Sequence, residues 1–431
     1  MGVWGNSFPQ PCFLMPRIIF ATFEGGGHVT PAAQLARRLQ ADGATLRFLS
    51  DEASRAAAAG LPFHPWRRAP NRQGAAAAAT PLRDHLAAFW PPAAVRSLCA
   101  EVMCEPALAY AQDLLAAMRE QPADLIVANE LLLGAMLAGE AAGVPVVSFS
   151  ANIWPFPTRD DLPPFGPGFR PGTQDWHAKR DAFTRDWTFK LYDAGLPALN
   201  AARAALGLPP LAHVLDQLQM LRLSLLGTAR AFDFDRPAVP PSFAYAGPML
   251  ETPPWAAPWL PRHARPHVLV SFSTTQMGQT GALRRSLRAL HGLPVQGVLT
   301  AGPAIDPAGL PAGSQVQILR GAAHDDILPH CAAAIVQGGH GSVIRPLLHG
   351  VPLLALPLGR DNADNAARVA EAGAGIALSG RAGAWRIRRA LRTLLAEPAY
   401  RQAAAVLGRH IAVETDGGAG ASARLLRLVE A

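Results

Sequence analysis

The chain has 431 residues, half of them hydrophobic, and a formal net charge of +7. That length predicts two or three domains, each able to bury a full core, and excludes a membrane span: the nearest apolar run, Leu131–Gly139, is bracketed by Glu130 and Glu140 and falls short of the ~20 residues required. The basic excess is mostly Arg, with no Lys/Arg block interleaved with aromatics, which argues against nucleic acid as a partner and leaves a weak attraction to anionic nucleotides or a membrane surface.

Residues 1–14 lack the basic start and long apolar stretch of a signal peptide and read as a disordered tail, with Met15 as the alternative natural start. The pattern then predicts a strand at Arg17–Phe23, a loop at Glu24–Pro31, a helix at Ala32–Ala41 and a strand at Thr45–Leu49. Leu35 and Leu39 share one helix face and Asp42-Gly43 stops it, so this is a βαβ opening of a doubly wound domain. The run Gly25-Gly26-Gly27 lacks the Gly-x-Gly-x-x-Gly spacing of a dinucleotide fingerprint and carries His28 where bare backbone is required. An imidazole there can take a proton near neutral pH, although a lone His is more often structural. Asp124–Glu130 reads as a strand and its exit, and Val144–Phe149 as another buried strand.

From Ile153 to Gly172 the density of Pro and Gly excludes both helix and strand. Trp154, Phe156, Phe165, Phe169 and Trp176 therefore sit on a long irregular segment, where aromatics suggest an apolar small-molecule pocket beside ordinary loop packing. A helix follows in which Phe183, Trp187 and Leu191, at i, i+4 and i+8, read as a core stripe. Gly195 and Pro197 interrupt it before Ala198–Leu206. Asp233-Phe234-Asp235, an Asp-x-Asp, is read as a solvated turn rather than a metal site. The proline-rich stretch Pro237–Pro266 reads as an interdomain linker.

The second half opens on a strand, His267–Ser271, followed by Ser273-Thr274-Thr275. A helix at Leu283–Leu290, strands at Gly297–Thr300 and Gln315–Leu319, and a turn at His324–Leu328 come next. The densest signal is Ile335–Gly375. A buried strand, Ala332–Val336, feeds Gln337-Gly338-Gly339-His340-Gly341-Ser342 and a short helix, Val343–His349, with Pro346 in its first turn and Gly350 as its stop. A second strand, Pro352–Leu356, ends in a polar turn holding Arg360, Asp361 and Asn362. A Gly loop feeding a helix N-terminus turns unpaired N–H groups and the helix dipole toward an anion. Polar residues just past a strand's carboxyl end sit where open α/β sheets bind ligands. The Gly loop alone fits an ordinary crossover with structural glycines. The whole segment describes a diphosphate seat beside hydroxyl-binding side chains, which is a nucleotide-sugar site. The four cysteines, Cys12, Cys99, Cys104 and Cys331, show no metal spacing, and Cys99 and Cys104 read as packing residues of a cytoplasmic chain.

The Ile335–Gly375 segment resembles the donor-binding signature of the nucleotide-sugar glycosyltransferases that act on small molecules, and most resembles their bacterial macrolide-type, antibiotic branch. The family pattern His-Gly-Gly-x-Gly-Ser/Thr, Gly-Val-Pro, Pro-x-x-x-Asp-Gln and Asn-Ala-x-x-Val reads here as Gln337–Ser342, Gly350-Val351-Pro352, Pro357 to Asp361-Asn362, and Asn365 to Val369. Gly27-His28-Val29-Thr30-Pro31 resembles the family's Gly-His-x-x-Pro motif. The resemblance implies the α/β architecture called GT-B, two Rossmann-like doubly wound domains facing across a cleft. An acceptor-binding domain is expected at 15–236, a linker at 237–266 and a donor-binding domain at 267–431. His28 is implied as the general base. Asn129 stands where the family has the Asp that orients it, with Glu130 and Glu24 as candidate substitutes for the lost charge.

On the donor side the resemblance implies contacts to the nucleotide from Ser273 and Thr274, with the His324 turn passing near the base. Gln337, Gly338, Gly339, His340, Gly341 and Ser342 would hold the diphosphate, and Asp361 and Asn362 the sugar. Gln337 replaces the family's His, Arg345 its ribose-binding Glu, and Asn362 its Gln; His340 and Arg345 are expected to supply the positive charge that Gln337 lacks. Trp154, Phe156 and Phe165 are expected to line an apolar acceptor pocket. The implied reaction is inverting, with no catalytic metal and no cofactor beyond the nucleoside-diphosphate sugar as co-substrate. Two alternatives stay open: a sugar-nucleotide epimerase or hydrolase of the same fold, and a catalytically impaired binding or auxiliary protein.

Overall fold

The computed structural model describes residues 15–25, 27–71, 91–236, 238–252, 256–272, 278–302, 305–311 and 313–430. The expected tail, Cys12, Ser273 and Thr274 lie outside them. The described strands form two sheets. The first comprises β1 (Arg17–Ala21), β2 (Thr45–Ser50), β3 (Phe63–Pro65), β4 (Leu125–Asn129), β5 (Val146–Ser150), β6 (Leu223–Leu226) and β7 (Phe243–Tyr245), in the order β3-β2-β1-β4-β5-β6-β7. The second comprises β8 (His267–Ser271), β9 (Gln296–Thr300), β10 (Val316–Leu319), β11 (Cys331–Val336), β12 (Leu353–Ala355) and β13 (Gly375–Ala377), in the order β10-β9-β8-β11-β12-β13. All their pairings are parallel. Runs such as Ile18-Ile19-Phe20 and Leu125-Ile126-Val127 are buried on both faces because helices cover each side, so the strands are continuously apolar rather than alternating.

Both sheets reverse direction in the middle. The chain leaves β1 toward β2 on one side and returns to β4 on the other; β8 and β11 repeat this in the second sheet. Such a switch point opens a crevice at the strands' carboxyl ends, where ligands bind. His28 follows β1 and Asn129 ends β4, while Gln337 to Ser342 follow β11. The expected two-domain GT-B architecture is thus present, with the candidate residues of each half at its switch point.

Several expectations need correcting. Phe243–Tyr245, placed in the linker, is the seventh strand of the first sheet, paired with β6. Residues 419–430 belong to the first core rather than the second: Ala421 and Leu425 pack with Leu35 and Leu39 of the helix Val29–Ala41, and Ser422 Oγ donates to Asp42 Oδ2 at 2.6 Å. The chain therefore crosses between domains twice. The crossings touch, since a Cβ on Gly247 (φ +72°) would overlap the carbonyl of Glu414, whose carboxylate accepts from the backbone N–H of Arg230 and Ala231 at 2.6 and 2.9 Å.

Trp176 lies on the helix Asp175–Leu191, not on the irregular segment, and the stripe on that helix is not core: Phe183 is 71% and Trp187 44% exposed, and only Leu191 is buried. Arginines tether this helix instead. Arg185 donates to Leu162 O at 2.9 Å, and Arg180 lies over the Phe169 ring at 4.0 Å. The helix expected at Val343–His349 starts at His340, so Pro346 is its seventh residue and not in its first turn. Among the described residues no helix is long and apolar enough to cross a membrane.

Asp233, read as part of a solvated turn, is buried across the domain interface. Its Oδ1 accepts from Arg368 Nε and Nη2 at 2.9 and 2.7 Å, its Oδ2 accepts from Tyr245 Oη at 2.7 Å, and Arg159 Nη1 lies 3.6 Å away. Nearby, the backbone N–H groups of Gly166 and Gly168 donate to Asp364 at 2.9 and 3.3 Å, so the Pro/Gly-rich segment is clamped onto the helix Asn362–Glu371. The expected packing role of Cys99 and Cys104 holds: both are buried, with Sγ atoms 3.7 Å apart.

Candidate active site

On the first domain, the loop after β1 turns at Gly27 (φ +101°) and delivers His28 just ahead of the helix Val29–Ala41. The imidazole stacks on Phe23, with centroids 6.2 Å apart; a side chain on Gly25 would press on both rings. Asn129, at the end of β4, points its amide at the ring, with Nδ2 3.3 Å from His28 Nδ1. The same Nδ2 donates to Glu130 Oε2 at 2.8 Å, while Asn129 Oδ1 accepts from Leu131 N–H at 3.0 Å, which fixes which way the amide faces. Glu130 is 2% exposed, and its Oε1 lies 3.9 Å from His28 Nδ1. Glu24 is held through its backbone N–H by Asp51 Oδ2 at 2.6 Å. Burial, then the charge of Arg360, pull the His28 pKa down to about 4. Burial lifts Glu130 to about 7, against its own backbone bond and that from Ser150 Oγ.

On the second domain, β11 runs into Gln337, buried, and Gly338. Gly338 has φ +105°, and a Cβ there would lie 2.6 Å from Asn362 O, so only glycine lets the loop sit against the polar turn. Gly339 precedes the helix His340–Leu348, whose first-turn N–H groups have no carbonyl partner within the helix. Ser342 Oγ donates back to Gly339 O at 2.7 Å. Asp361 accepts from Asn365 Nδ2 at 2.6 Å, from the His340 N–H at 3.3 Å and, across the cleft, from Asn152 Nδ2 at 2.5 Å; burial raises its pKa despite the bond from Asn152. Asn362 Oδ1 accepts from Leu358 N–H at 3.3 Å. Arg360, the one non-glycine residue with positive φ (55°) among the described residues, extends Nη1 to 3.5 Å from Gly25 O in the His28 loop.

The two residues expected to replace the charge missing at Gln337 are both engaged with other partners in this structure. His340 is buried, its Nε2 2.9 Å from Thr228 Oγ1, and burial, then Arg368, hold its pKa at about 3, so the ring is neutral. Arg345 is spent on an ion pair with Asp325 and donates to Glu251 O at 3.0 Å. His324, on the expected turn, lies with Nε2 3.0 Å from Thr300 Oγ1 and 3.5 Å from Ser271 Oγ, at the exits of β9 and β8. Trp154, Phe156 and Phe165 line one small cavity with Arg159, Leu162 and Asp364. Trp154 and Phe156 also pack edge-to-face on each other at 5.1 Å, and Phe156 on Tyr192 at 5.6 Å, so part of their burial is plain core packing. Sequence reasoning missed Asn152 and Thr228. The available signal was position, since each is a polar residue just past a strand's carboxyl end.

Residues 310–416 match the family described as erythromycin biosynthesis protein CIII-like, C-terminal domain, which takes in the whole donor-side loop. The 4'-demethylrebeccamycin synthase of Lentzea aerocolonigenes is 30% identical over 410 residues, covering 91% of this chain and 94% of that one. The chain belongs to the GT-B antibiotic glycosyltransferases. The TDP-daunosamine transferase DnrS of Streptomyces peucetius is 37% identical over 180 residues, 39% of this glycosyltransferase and 41% of that one. The solved kitacinnamycin glycosyltransferase superposes with a TM-score of 0.74 at 20% identity, covering 96% of this chain and 98% of that one. The calicheamicin glycosyltransferase CalG4 gives 0.71 at 20% identity with the same coverage. These structures share the fold. Membership sets sugar transfer above the epimerase and binding-only alternatives.

The donor loop of the glycosyltransferase gives a direct prediction. Gly338→Ala forces a strained backbone worth ~1–3 kcal/mol, and is expected to weaken nucleoside-diphosphate binding roughly 5- to 150-fold. Calorimetric titration with a nucleoside diphosphate checks this; an unchanged Kd would separate Gly338 from the donor seat.

Proposed function

We propose that this glycosyltransferase moves a sugar from a nucleoside-diphosphate sugar to a hydroxyl of an apolar, ring-rich small molecule, with inversion at the anomeric carbon. One observation carries the reading. The Arg360–Asp361 turn of the donor side meets the His28 loop and Asn152 of the acceptor side, so the base and the sugar-binding carboxylate face one cleft. His28 takes the acceptor proton as its oxygen attacks the anomeric carbon. The bond to the diphosphate breaks, and the leaving oxygens are met by the N–H groups of Gly338 to Ser342 and the helix start. Asp361 and Asn362 hold sugar hydroxyls, which displace Asn152 from Asp361. Trp154, Phe156 and Phe165 present an apolar wall to the acceptor.

A metal is not required in this scheme. The Asp-x-Asp carboxylate of Asp233 is committed to Arg368 and Tyr245. The relatives' names, one of them a TDP-daunosamine transferase, support a TDP-linked donor and a natural-product acceptor. The unbridged Cys99 and Cys104 suit the reducing cytoplasm.

The test is incubation of purified protein with TDP- and UDP-sugars and a panel of macrolide, polyphenol and fused-ring acceptors. Mass spectrometry is expected to find an acceptor heavier by one sugar, with the free nucleoside diphosphate released. Binding of nucleotide sugar without any acceptor gain would return the reading to the impaired binder.

A further inference from the structure

A general base at His28 needs a free lone pair on Nε2, which requires the ring proton on Nδ1. The group facing Nδ1 is the wrong one for that. Asn129 is locked by Leu131 N–H so that its NH2, a donor, points at Nδ1 at 3.3 Å. With Asn129 as sole partner the neutral ring places its proton on Nε2, where it blocks proton uptake. The acceptor within range of Nδ1 is Glu130 Oε1 at 3.9 Å, and its other oxygen already holds the Asn129 amide. A ring shift of about 1 Å brings Nδ1–H to hydrogen-bonding distance of it.

We propose that Glu130 is the positioning residue of this site: its carboxylate, one residue beyond the family's Asp position, selects the Nδ1–H tautomer of His28 and offsets the imidazolium formed during transfer. This rests on His28 being the base. The balance is simple. The acceptor O–H proton goes to Nε2, the oxygen–carbon bond forms, the carbon–phosphate-oxygen bond breaks with its electrons leaving on the diphosphate, and the imidazolium charge is met by Glu130. The groups facing the pair are Arg360 from the donor-side turn, which disfavours the imidazolium, the Asn129 amide at the end of β4, and Ser150 Oγ on β5, which donates to Glu130 at 3.3 Å.

The arrangement has a pH signature. His28 stays neutral down to about pH 4, but Glu130 ionises only above about 7. Catalysis is therefore expected to fall as pH drops through about 7, when Glu130 is protonated, well before His28 itself titrates. Glu130→Gln is expected to lower kcat 10- to 100-fold at pH 8 with the KM for nucleotide sugar unchanged, and to move the acid limb toward 4. Adding Asn129→Asp to it places a carboxylate directly on Nδ1 and is expected to restore most of the rate. A second readout needs no variant and no turnover: nitrogen NMR of labelled histidine should show His28 as Nδ1–H at pH 8 and Nε2–H at pH 5.5.

An Nε2–H ring at both pH values, or a Glu130→Gln enzyme with the parent's rate and acid limb, overturns the proposal. His28→Ala run alongside separates the two readings. If that variant keeps its rate, the base assignment itself is wrong; if it loses it while Glu130→Gln does not, only the role of Glu130 fails.

Discussion

His28→Ala is expected to cut kcat by about 10²- to 10⁴-fold, the span that a positioned general base contributes. Binding of nucleoside diphosphate should stay within a few-fold, because the imidazole belongs to the first sheet's switch point and the diphosphate seat to the second. The ring is half-enclosed, stacked on Phe23 and pulled down to a pKa of about 4 by burial and Arg360. Its advantage is position, with the ring held neutral at every physiological pH beside the turn that carries Asp361. Quenched-flow or steady-state rates with calorimetric Kd values on the same preparation decide the matter. A kcat within tenfold of the parent would move the base elsewhere and leave the Gly-His-x-x-Pro resemblance as a structural one.

Arg368→Ala is expected to destabilise the protein by ~3–5 kcal/mol, the cost of stranding a buried charge partner. The guanidinium gives two hydrogen bonds to Asp233 and one to Asp364 O at 3.1 Å, and lies over the Phe234 ring at 4.3 Å. Burial alone would raise the Asp233 pKa, but the charge of Arg368, the bond from Tyr245 and the charge of Arg159 hold it below the ordinary carboxylate value. A depressed folded-state pKa means that the contribution is present above the unfolded pKa of about 4 and is lost as pH falls through the folded one. Because Asp233 belongs to the first half and Arg368 to the second, the loss should also uncouple them. Denaturant unfolding is expected to pass from one transition to two. Arg368→Lys should recover little, since an ammonium cannot form the double contact. A single transition with an unchanged midpoint would show that the bonds do not couple the domains.

Much of the architecture was legible in the sequence because parallel strands covered on both faces are written as unbroken apolar runs, and because the loops after β1 and β11 combine Gly with a polar residue at a helix start. What stayed illegible was pairing over long sequence distances. Asp233 beside a proline-rich stretch looks solvated until Arg368 arrives from 135 residues away. Arg345 looks available for phosphate until Asp325 claims it. The Phe183–Trp187 stripe has core periodicity, but periodicity cannot tell which face packs when arginines on other faces hold the helix down. Glu130 and Asn129 were both visible, but the amide direction that gives them different tasks depends on the Leu131 N–H, a matter of local geometry.

The double crossing between the halves constrains how this enzyme can be recombined with its relatives. Exchanging donor specificity by splicing a foreign second half after residue 246 would also import a foreign terminal helix, and Ala421 and Leu425 would be replaced against an unchanged Leu35 and Leu39. The transplantable unit is discontinuous: residues 15–246 travel with 419–430, and a hybrid respecting both junctions keeps each core intact. Hybrids cut at a single point should express poorly whatever sugar they were built to accept.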